Sequence, residues 1–174
     1  QCATIGQVLQ DNGYSTFWIG KQHNVPEEDV SSGGSKSEWP LQKGFDRFYG
    51  FLGGETNQWF PDLVEDNRFI EQPYLPDEGY HVSKDLADQS IRMLRDQNSS
   101  NPSKPWYLWF CPGANHAPHH APQEYIDKYK GKFDDGYEAY REWVLPRMVS
   151  KGVLPEGTKM TPINPLPEDA EVAN

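Results

Sequence analysis

Two short segments of the sequence concentrate side chains that bind anions or move protons. Lys21 and His23 lie in the string GKQH, and His116, His119 and His120 lie in ANHAPHHAP. A lysine ammonium carries a fixed positive charge with three donors, and a histidine ring donates hydrogen bonds or exchanges a proton near neutral pH. The two segments together indicate an anion-binding site with the means to transfer a proton.

The residues alone leave other interpretations of these segments open. The string HAPHH is also compatible with zinc, although His119 and His120 are adjacent on a proline-constrained loop and no further ligand follows at a familiar spacing. A lysine after a strand is commonly solvated, and a histidine in a proline-rich loop commonly serves packing. An anion site, a zinc site and an ordinary surface loop therefore all stay open at this point.

Each of the two segments follows a predicted strand. Apolar residues at helical spacing predict a helix over 3–12 with Gly13 as its left-handed cap, and a strand over 14–19 ends at Gly20. A helix capped by Ser83 is predicted to run to residue 97, ahead of the apolar run WYLWFC at 106–111, a central strand buried on both faces. Ligands bind at the carboxyl ends of strands in open α/β sheets. Both segments are therefore expected at one edge of the sheet.

The remaining elements complete an α/β pattern. A short strand over 45–49 leads to a turn at Gly53 and Gly54, and residues 58–79 form a long segment without a regular period. Helices are predicted over 123–130, with Pro122 at the first helical position, and over 137–151. Residues 162–174 contain three prolines and are predicted to be a loop or linker, which leaves 1–161 as one segment of a catalytic domain.

Composition excludes several classes of partner. The net charge of −10 and the scattered basic residues argue against nucleic-acid binding. No run approaches the roughly 18 apolar residues of a membrane helix, so we expect a soluble protein that contacts no membrane, either cytoplasmic or exported. Cys2 and Cys111 lie too far apart for a metal knuckle. The chain begins without an initiator methionine or a signal segment, so an internal piece of a longer protein is expected.

Four segments carry a resemblance to one family. GYSTFWIGKQH resembles the type I sulfatase signature in which a G-Y-x-T strand leads to G-K-W-H, and GFDRFYGFLGG resembles the family's G-F-D-x-F-Y-G segment. YHVSKDLADQSI resembles its next helix, and ANHAPHHAPQEYIDKYKGKFDDGYEAYRE resembles the region of its later active-site histidine. The order and spacing agree to about residue 165. The chain is therefore identified as an internal fragment of a type I sulfatase, similar to bacterial arylsulfatases.

The resemblance implies a fold and a role for each candidate residue. The fold would be part of an alkaline-phosphatase-like α/β/α sandwich with a central mixed, mostly parallel sheet. Lys21 would bind a sulfate oxygen and the nucleophile, and His23 would support the hydroxyl of a formylglycine. His116 would contact the sulfate ester near the leaving group. Lys21 and His116 are thus the substrate-binding residues, and His119 and His120 would flank the pocket.

The resemblance also implies cofactors that this sequence does not complete. The family uses formylglycine and a divalent cation such as Ca²⁺, but its C-x-P-x-R nucleophile motif and its metal-binding Asp and Asn pairs have no match here. Cys2 is followed by ATIG, so it is not the formylglycine precursor. Gln22 and Asn24 replace the usual Trp and Leu. We expect no metal ligands in this chain and no activity from it alone.

The implied function of the parent protein is hydrolysis of a small-molecule or glycan sulfate ester. Two alternatives remain at the sequence level. A phosphonate or phosphate monoester hydrolase of the same superfamily would use a similar Lys and His pair. A noncatalytic module could use the same fold to bind an anion.

Overall fold

The computed structural model describes residues 2–163, and the chain divides into two compact units, Gln1–Ala121 and Pro122–Asn174. The elements of the first unit are α1 (Ile5–Asp11), β1 (Ser15–Lys21), β2 (Arg47–Phe51), β3 (Leu63–Glu65), β4 (Arg68–Ile70), α2 (Val82–Ser100) and β5 (Trp106–Cys111). Those of the second unit are α3 (Gln123–Asp127) and α4 (Gly136–Ser150).

The first unit is built on one mixed five-stranded sheet in the order β4-β3-β2-β1-β5. The three longest strands are parallel, with β1 between β2 and β5. β3 and β4 form an antiparallel hairpin on the other side of β2. The predicted α/β class with a mixed, mostly parallel sheet is confirmed.

Side chains alternate between the two faces of the sheet and form a separate hydrophobic core on each face. Phe17, Ile19 and Tyr49 pack on one face beneath the apolar stripe of α2, which includes Leu86 and Met93. The opposite face is covered by a second buried cluster of Trp18, Val25, Trp39, Phe45, Phe48, Leu52 and Val64. Gly6 of α1 lies against the Phe45 ring, so α1 covers this second face. Both faces of β1 are therefore buried.

The N-cap of helix α2 lies two residues earlier than predicted. His81 is the N-cap, and its Nδ1 accepts a hydrogen bond from the Ser83 backbone N–H at 3.2 Å. The prediction that Ser83 caps the helix is wrong. A histidine outside the helix replaced the usual short polar cap, which local preference alone does not anticipate.

Strand positions were predicted more closely than strand ends. β1 continues through Gly20 to Lys21, and β2 lies two residues later than predicted. The segment 58–79 contains the β3–β4 hairpin, whose tight turn places Asp66 at φ 56°. The Asp-Asn pair between LVE and RFI was the missed turn signal, because Asp and Asn tolerate the left-handed region.

The largest disagreement concerns β5. Residues 106–111 form the predicted strand, but β5 is at the outer edge of the described sheet and its side chains are exposed or only partly buried. The prediction of a central strand buried on both faces is wrong for the described structure. An apolar run indicates that both faces of a strand favour burial. It does not show how many other elements pack on those faces.

The second unit consists of two helices rich in exposed aromatic rings. Pro122 is the N-cap of α3, one position before the predicted one, and the helix ends at Asp127 rather than at residue 130. Helix α4 matches its predicted bounds to one residue and has Pro146 inside it. The predicted loop at 162–174 lies outside the described residues from position 164 onwards. Among the described helices of both units, none is long and apolar enough to cross a membrane.

Candidate active site

The end of β1 holds Lys21 and His23 on a fixed backbone. The Trp18 indole N–H donates to the Lys21 carbonyl at 3.1 Å. Beyond the strand, the Gln22 N–H donates to the Phe51 carbonyl at 3.0 Å and the His23 N–H donates to the Leu52 carbonyl at 3.1 Å. The segment that follows β1 is therefore fastened to the end of β2.

Glycines let the three parallel strands approach closely just before this edge. Gly20 has φ 104° and lies directly against the Cys111 carbonyl, and Gly50 lies against the Gly20 carbonyl. A side chain at either position would overlap the neighbouring backbone. Glycine tolerates both the close approach and, at Gly20, the positive φ. The Gly20–Gly50–Cys111 row thus fixes where the two candidate loops leave the sheet.

Gln22, one of the two departures from the family signature, has a structural role. Its side chain is buried, and its Oε1 accepts hydrogen bonds from the backbone N–H groups of Asn24 at 2.7 Å and Val25 at 3.1 Å. The amide thereby closes the turn that contains His23, whose φ is 53°. Gln22 orders the backbone of the His23 loop.

The second candidate loop, residues 112–120, leaves the same edge of the sheet. β5 is parallel to β1, with Cys111 opposite Gly20. Gly113 packs against the Phe51 ring and the Gln58 amide, where an added Cβ would lie at 3.0 and 3.2 Å. The His116 N–H then donates to the Gly113 carbonyl at 3.0 Å, which forms a turn that presents His116.

The turn after β2 lies between His23 and His116, the two histidines that were predicted to act in the site. A Cβ on Gly54 would lie 2.7–3.0 Å from the ring atoms of His23, so the imidazole rests directly on this glycine. The next residue, Glu55, places its Oε2 3.5 Å from Nδ1 of His116. The structure thus brings His23 and His116 to consecutive residues of one turn.

Lys21 is placed by the sheet register rather than by side-chain contacts. It is the last residue of β1 and lies opposite Phe51, one position beyond the Gly20–Cys111 pair. Within residues 2–163, no carboxylate lies within 4.0 Å of its ammonium group, and it forms no hydrogen bond to either histidine. Its charge is therefore not neutralised by an ion pair within the described chain.

His119 and His120 differ from His116 in their surroundings. His120 is partly buried, and its Nδ1 accepts a long hydrogen bond of 3.4 Å from the Gln58 N–H. Its carbonyl accepts a bond of 3.1 Å from Nε2 of His81. His119 is exposed. His120 thus helps to anchor the loop to the α2 cap.

Sequence reasoning missed the residues that support the loops. His81 joins the cap of α2 to the 112–120 loop, and its ring packs edge-on against Trp59 with centroids 4.8 Å apart. Glu55 follows the predicted glycine turn, but no motif in the sequence indicated that it contacts His116. A usable signal was its position: a carboxylate after the strand next to β1, at the same edge as Lys21.

The described residues do not fit a metal ion. Within the part of the chain that the structure covers, no group of three or more His, Cys, Asp and Glu side chains is arranged to hold one. This finding contradicts the zinc interpretation of HAPHH for those residues. It also shows no cluster of carboxylates for Ca²⁺ among them, so we derive no chemical step through a metal.

The structure shows no feature that would activate the thiol of Cys2 or Cys111 as a nucleophile among the described residues. Cys2 is exposed at the start of the described chain. Burial at the end of β5 raises the pKa of the Cys111 thiol, which keeps it protonated near neutral pH.

Curated proteins similar to this chain are sulfatases. An arylsulfatase of Klebsiella aerogenes is 27% identical over 169 residues, which cover 90% of this chain and 33% of that protein. An uncharacterized sulfatase of Schizosaccharomyces pombe is 26% identical over 93% of this chain and 30% of its own length. Arylsulfatase J of Mus musculus is 28% identical over 74% of this chain and 21% of its own length. The chain thus spans a third or less of these relatives.

Solved structures share the fold of this chain. Ps i-CgsB in complex with k-i-k-neocarrahexaose superposes with a TM-score of 0.58 at 20% identity, over 72% of this chain and 29% of that one. BT4656 in complex with its substrate D-glucosamine-2-N,6-O-disulfate gives a TM-score of 0.53 at 20% identity, over 75% and 22%. At this identity the likeness concerns the fold. The family model named Sulfatase matches residues 1–168, and the chain therefore belongs to the sulfatase family.

Proposed function

We propose that the parent protein of this chain hydrolyses sulfate esters and that Lys21, His23 and His116 act in its active site. The observation that carries the proposal is the placement of His23 and His116 against Gly54 and Glu55, at the edge where Lys21 ends β1. The family membership supplies the reaction class. A sulfate ester is an anion, and this edge offers a lysine ammonium without a carboxylate partner in the described chain.

Each residue has a role suited to its chemistry. The Lys21 ammonium would bind a sulfate oxygen and offset the charge that develops on the sulfate group. His116 would donate a proton to the oxygen that leaves as the S–O bond breaks. His23 would hydrogen-bond the hydroxyl of the nucleophile, as its position in the family signature implies. His119, exposed on the same loop, would flank the pocket.

The cofactors implied by the resemblance are formylglycine and Ca²⁺, which would supply the nucleophile and neutralise sulfate charge. The described residues contain no cluster of carboxylates for Ca²⁺, and neither cysteine lies in the nucleophile motif. We therefore propose that both are provided by other parts of the parent protein and that the 174-residue chain is inactive alone.

The proposed substrates are small-molecule or glycan sulfate esters. The arylsulfatase relatives favour aryl sulfates as assay substrates. The fold neighbours determined with k-i-k-neocarrahexaose and with D-glucosamine-2-N,6-O-disulfate favour sulfated glycans for further screening. The family match favours sulfate over phosphate esters.

The test compares two histidines of one loop in the full-length parent protein. His116→Ala should lower turnover of an aryl sulfate by about 10²–10⁴-fold, the usual contribution of a positioned acid–base group. His119→Ala is the matched control and should cost much less, because that side chain is exposed and lies outside the Glu55 contact. Equal losses for the two variants would contradict the assignment.

The isolated chain gives a second test. It should show no turnover of an aryl sulfate above background. Activity that persists after repurification and disappears in Lys21→Ala would overturn the proposal that essential groups lie elsewhere in the parent.

A further inference from the structure

Glu55 is the one carboxylate placed beside a proposed catalytic histidine within the described chain, and none of the family motifs gave it a role. Its Oε2 lies 3.5 Å from His116 Nδ1. We infer that Glu55 is a positioning residue that orients the His116 ring so that Nε2 hands the proton to the departing oxygen. This inference rests on the proposed function of the same site.

The hydrogen bonds determine which ring nitrogen carries the resident proton. His116 Nδ1 lies 2.8 Å from the Ala117 carbonyl oxygen, which can only accept a hydrogen bond. Nδ1 is therefore the donor, and the neutral ring has its hydrogen on Nδ1. The Glu55 carboxylate lies 3.5 Å from the same nitrogen and pairs with it when the ring is charged. Nε2 has no hydrogen-bond partner among residues 2–163 and is left for the substrate.

The proton transfer balances with this arrangement. In the charged ring, Nδ1 and Nε2 both carry hydrogen. As the oxygen of the nucleophile bonds to sulfur, the ester S–O bond breaks and its electron pair goes to the leaving oxygen. The Nε2–H bond breaks and a new O–H bond forms on that oxygen. The ring returns to the neutral form with hydrogen still on Nδ1. Glu55 gains and loses no proton in this step, and its carboxylate faces the positive ring before the transfer.

The turn that holds Glu55 is specified by its glycines. A Cβ on Gly54 would collide with the His23 ring, and one on Gly53 would lie 3.2 Å from the Glu55 carbonyl oxygen. Glycine at these positions therefore lets the backbone pass beneath His23 and bring Glu55 to His116 without displacing the His23 ring. One turn thus supports both histidines.

The pair is exposed, which limits the size of the effect. His116 and Glu55 side chains are 52% and 60% exposed. Exposed ion pairs are individually weak. Removing the Glu55 carboxylate should therefore lower kcat/KM much less than removing the His116 ring. The reduction should be larger when the leaving oxygen has a greater need for a proton.

The leading experiment uses aryl sulfates with phenol leaving groups of increasing basicity and the full-length parent protein. Glu55→Gln keeps the size of the side chain and removes its charge. We expect little change with 4-nitrophenyl sulfate, whose leaving group needs little protonation, and a loss of about 3–10-fold in kcat/KM with phenyl sulfate. Glu28→Gln, an exposed carboxylate in the loop after His23, is the matched control and should leave both substrates unchanged.

The outcomes separate this inference from the proposed function. A uniform loss across all substrates in Glu55→Gln would indicate a merely structural role and would overturn the inference. If His116→Ala shows the leaving-group dependence and Glu55→Gln shows none, the inference is wrong while the proposed function stands. If His116→Ala itself lacks the dependence, the acid role of His116 fails and the inference fails with it.

A spectroscopic readout on the 174-residue chain does not require activity. Nitrogen-15 NMR of the histidine rings distinguishes the two neutral tautomers. We expect His116 to be mainly in the Nδ1–H form. Because the Ala117 carbonyl remains as an acceptor in Glu55→Ala, that variant should raise the Nε2–H fraction only partly, while the His81 signal stays unchanged. An Nε2–H tautomer for His116 in the unmodified chain would overturn the inference.

Discussion

Strands β1 and β5 are direct neighbours with similar apolar sequences, yet they are covered very differently. Tyr49, Ile19 and Phe110 form one row across β2, β1 and β5, and their exposed fractions are 2%, 0% and 42%. Helix α2 packs over the first two and leaves the third partly open. The burial of a strand residue therefore depends on what lies above it as much as on its own apolarity.

The opposite face of the sheet shows the same gradient. Phe48, Trp18 and Trp109 form the equivalent row, with exposed fractions of 0%, 4% and 37%. Trp109 stacks on Trp18 with ring centroids 4.6 Å apart, so only its inner side is covered. The loop with Lys21 and His23 therefore follows a well-covered strand, while the loop with His116 follows a half-covered one.

Disrupting the backbone contact between β1 and β5 should lower the free energy of unfolding more than the other substitutions do. Gly20→Ala places a methyl group against the Cys111 carbonyl at a positive φ, so we expect a loss of about 3–5 kcal/mol in the free energy of unfolding. Urea unfolding followed by tryptophan fluorescence measures it.

Gly13→Ala is the matched control for the positive φ alone. Gly13 has φ 84° but no atom within 4 Å of an added Cβ. Its substitution should cost only about 1 kcal/mol. Similar losses for the two variants would show that the close approach of β1 and β5 does not constrain the edge that carries the site.

Truncating one side chain on each strand tests the unequal cover directly. Ile19→Ala should destabilise the protein by about 3 kcal/mol, because a fully buried side chain leaves a cavity. Phe110→Ala should cost about 1 kcal/mol, because much of that ring is already in water. Urea unfolding of both variants gives the comparison, and a larger loss for Phe110 would mean that β5 is covered in solution.

The elements of the fold were largely predictable because each depends on local pattern. The strands at β1 and β5 and the helices α1, α2 and α4 appear where periodicity and glycine signals place them. The β3–β4 hairpin was missed because its strands have only three residues each. The cover of β5 could not be predicted, since it depends on which distant residues reach that strand.

The candidate site divides in the same way. Lys21, His23 and His116 were predicted from strand ends and family motifs, and the parallel register places the strands that precede them at a common edge. Glu55 and His81 depend on contacts between residues 61 and 39 positions apart, Glu55 with His116 and His81 with His120. Spacing in the sequence gives no measure of such contacts. Their assignment required the structure.

Two buried tyrosine hydroxyls join α2 to the well-covered part of the sheet, and the pH dependence of stability tests this contact. The expected effect is smaller than those of Gly20→Ala and Ile19→Ala. Tyr49 and Tyr80 donate to Asp85 Oδ2 at 2.7 and 3.0 Å. Burial, followed by the nearby Asp85 carboxylate, raises the pKa of both hydroxyls above the ordinary value of 10.0. Ionised tyrosine is thus disfavoured in the folded protein.

The sign of the pH effect follows from these raised pKa values. Below pH 10 both hydroxyls are protonated in the folded and unfolded chains, so their contribution to stability is complete. Above pH 10 the unfolded chain loses these protons first, and the free energy of unfolding should fall by roughly 2–3 kcal/mol between pH 9 and pH 11. Tyr49→Phe should remove about half of that fall, whereas Tyr137→Phe, at an exposed position, should leave it unchanged. If Tyr49→Phe leaves the pH dependence unaltered, the Tyr49 hydroxyl of the unmodified protein ionises freely. In that case α2 does not cover β1 and β2 more closely than it covers β5.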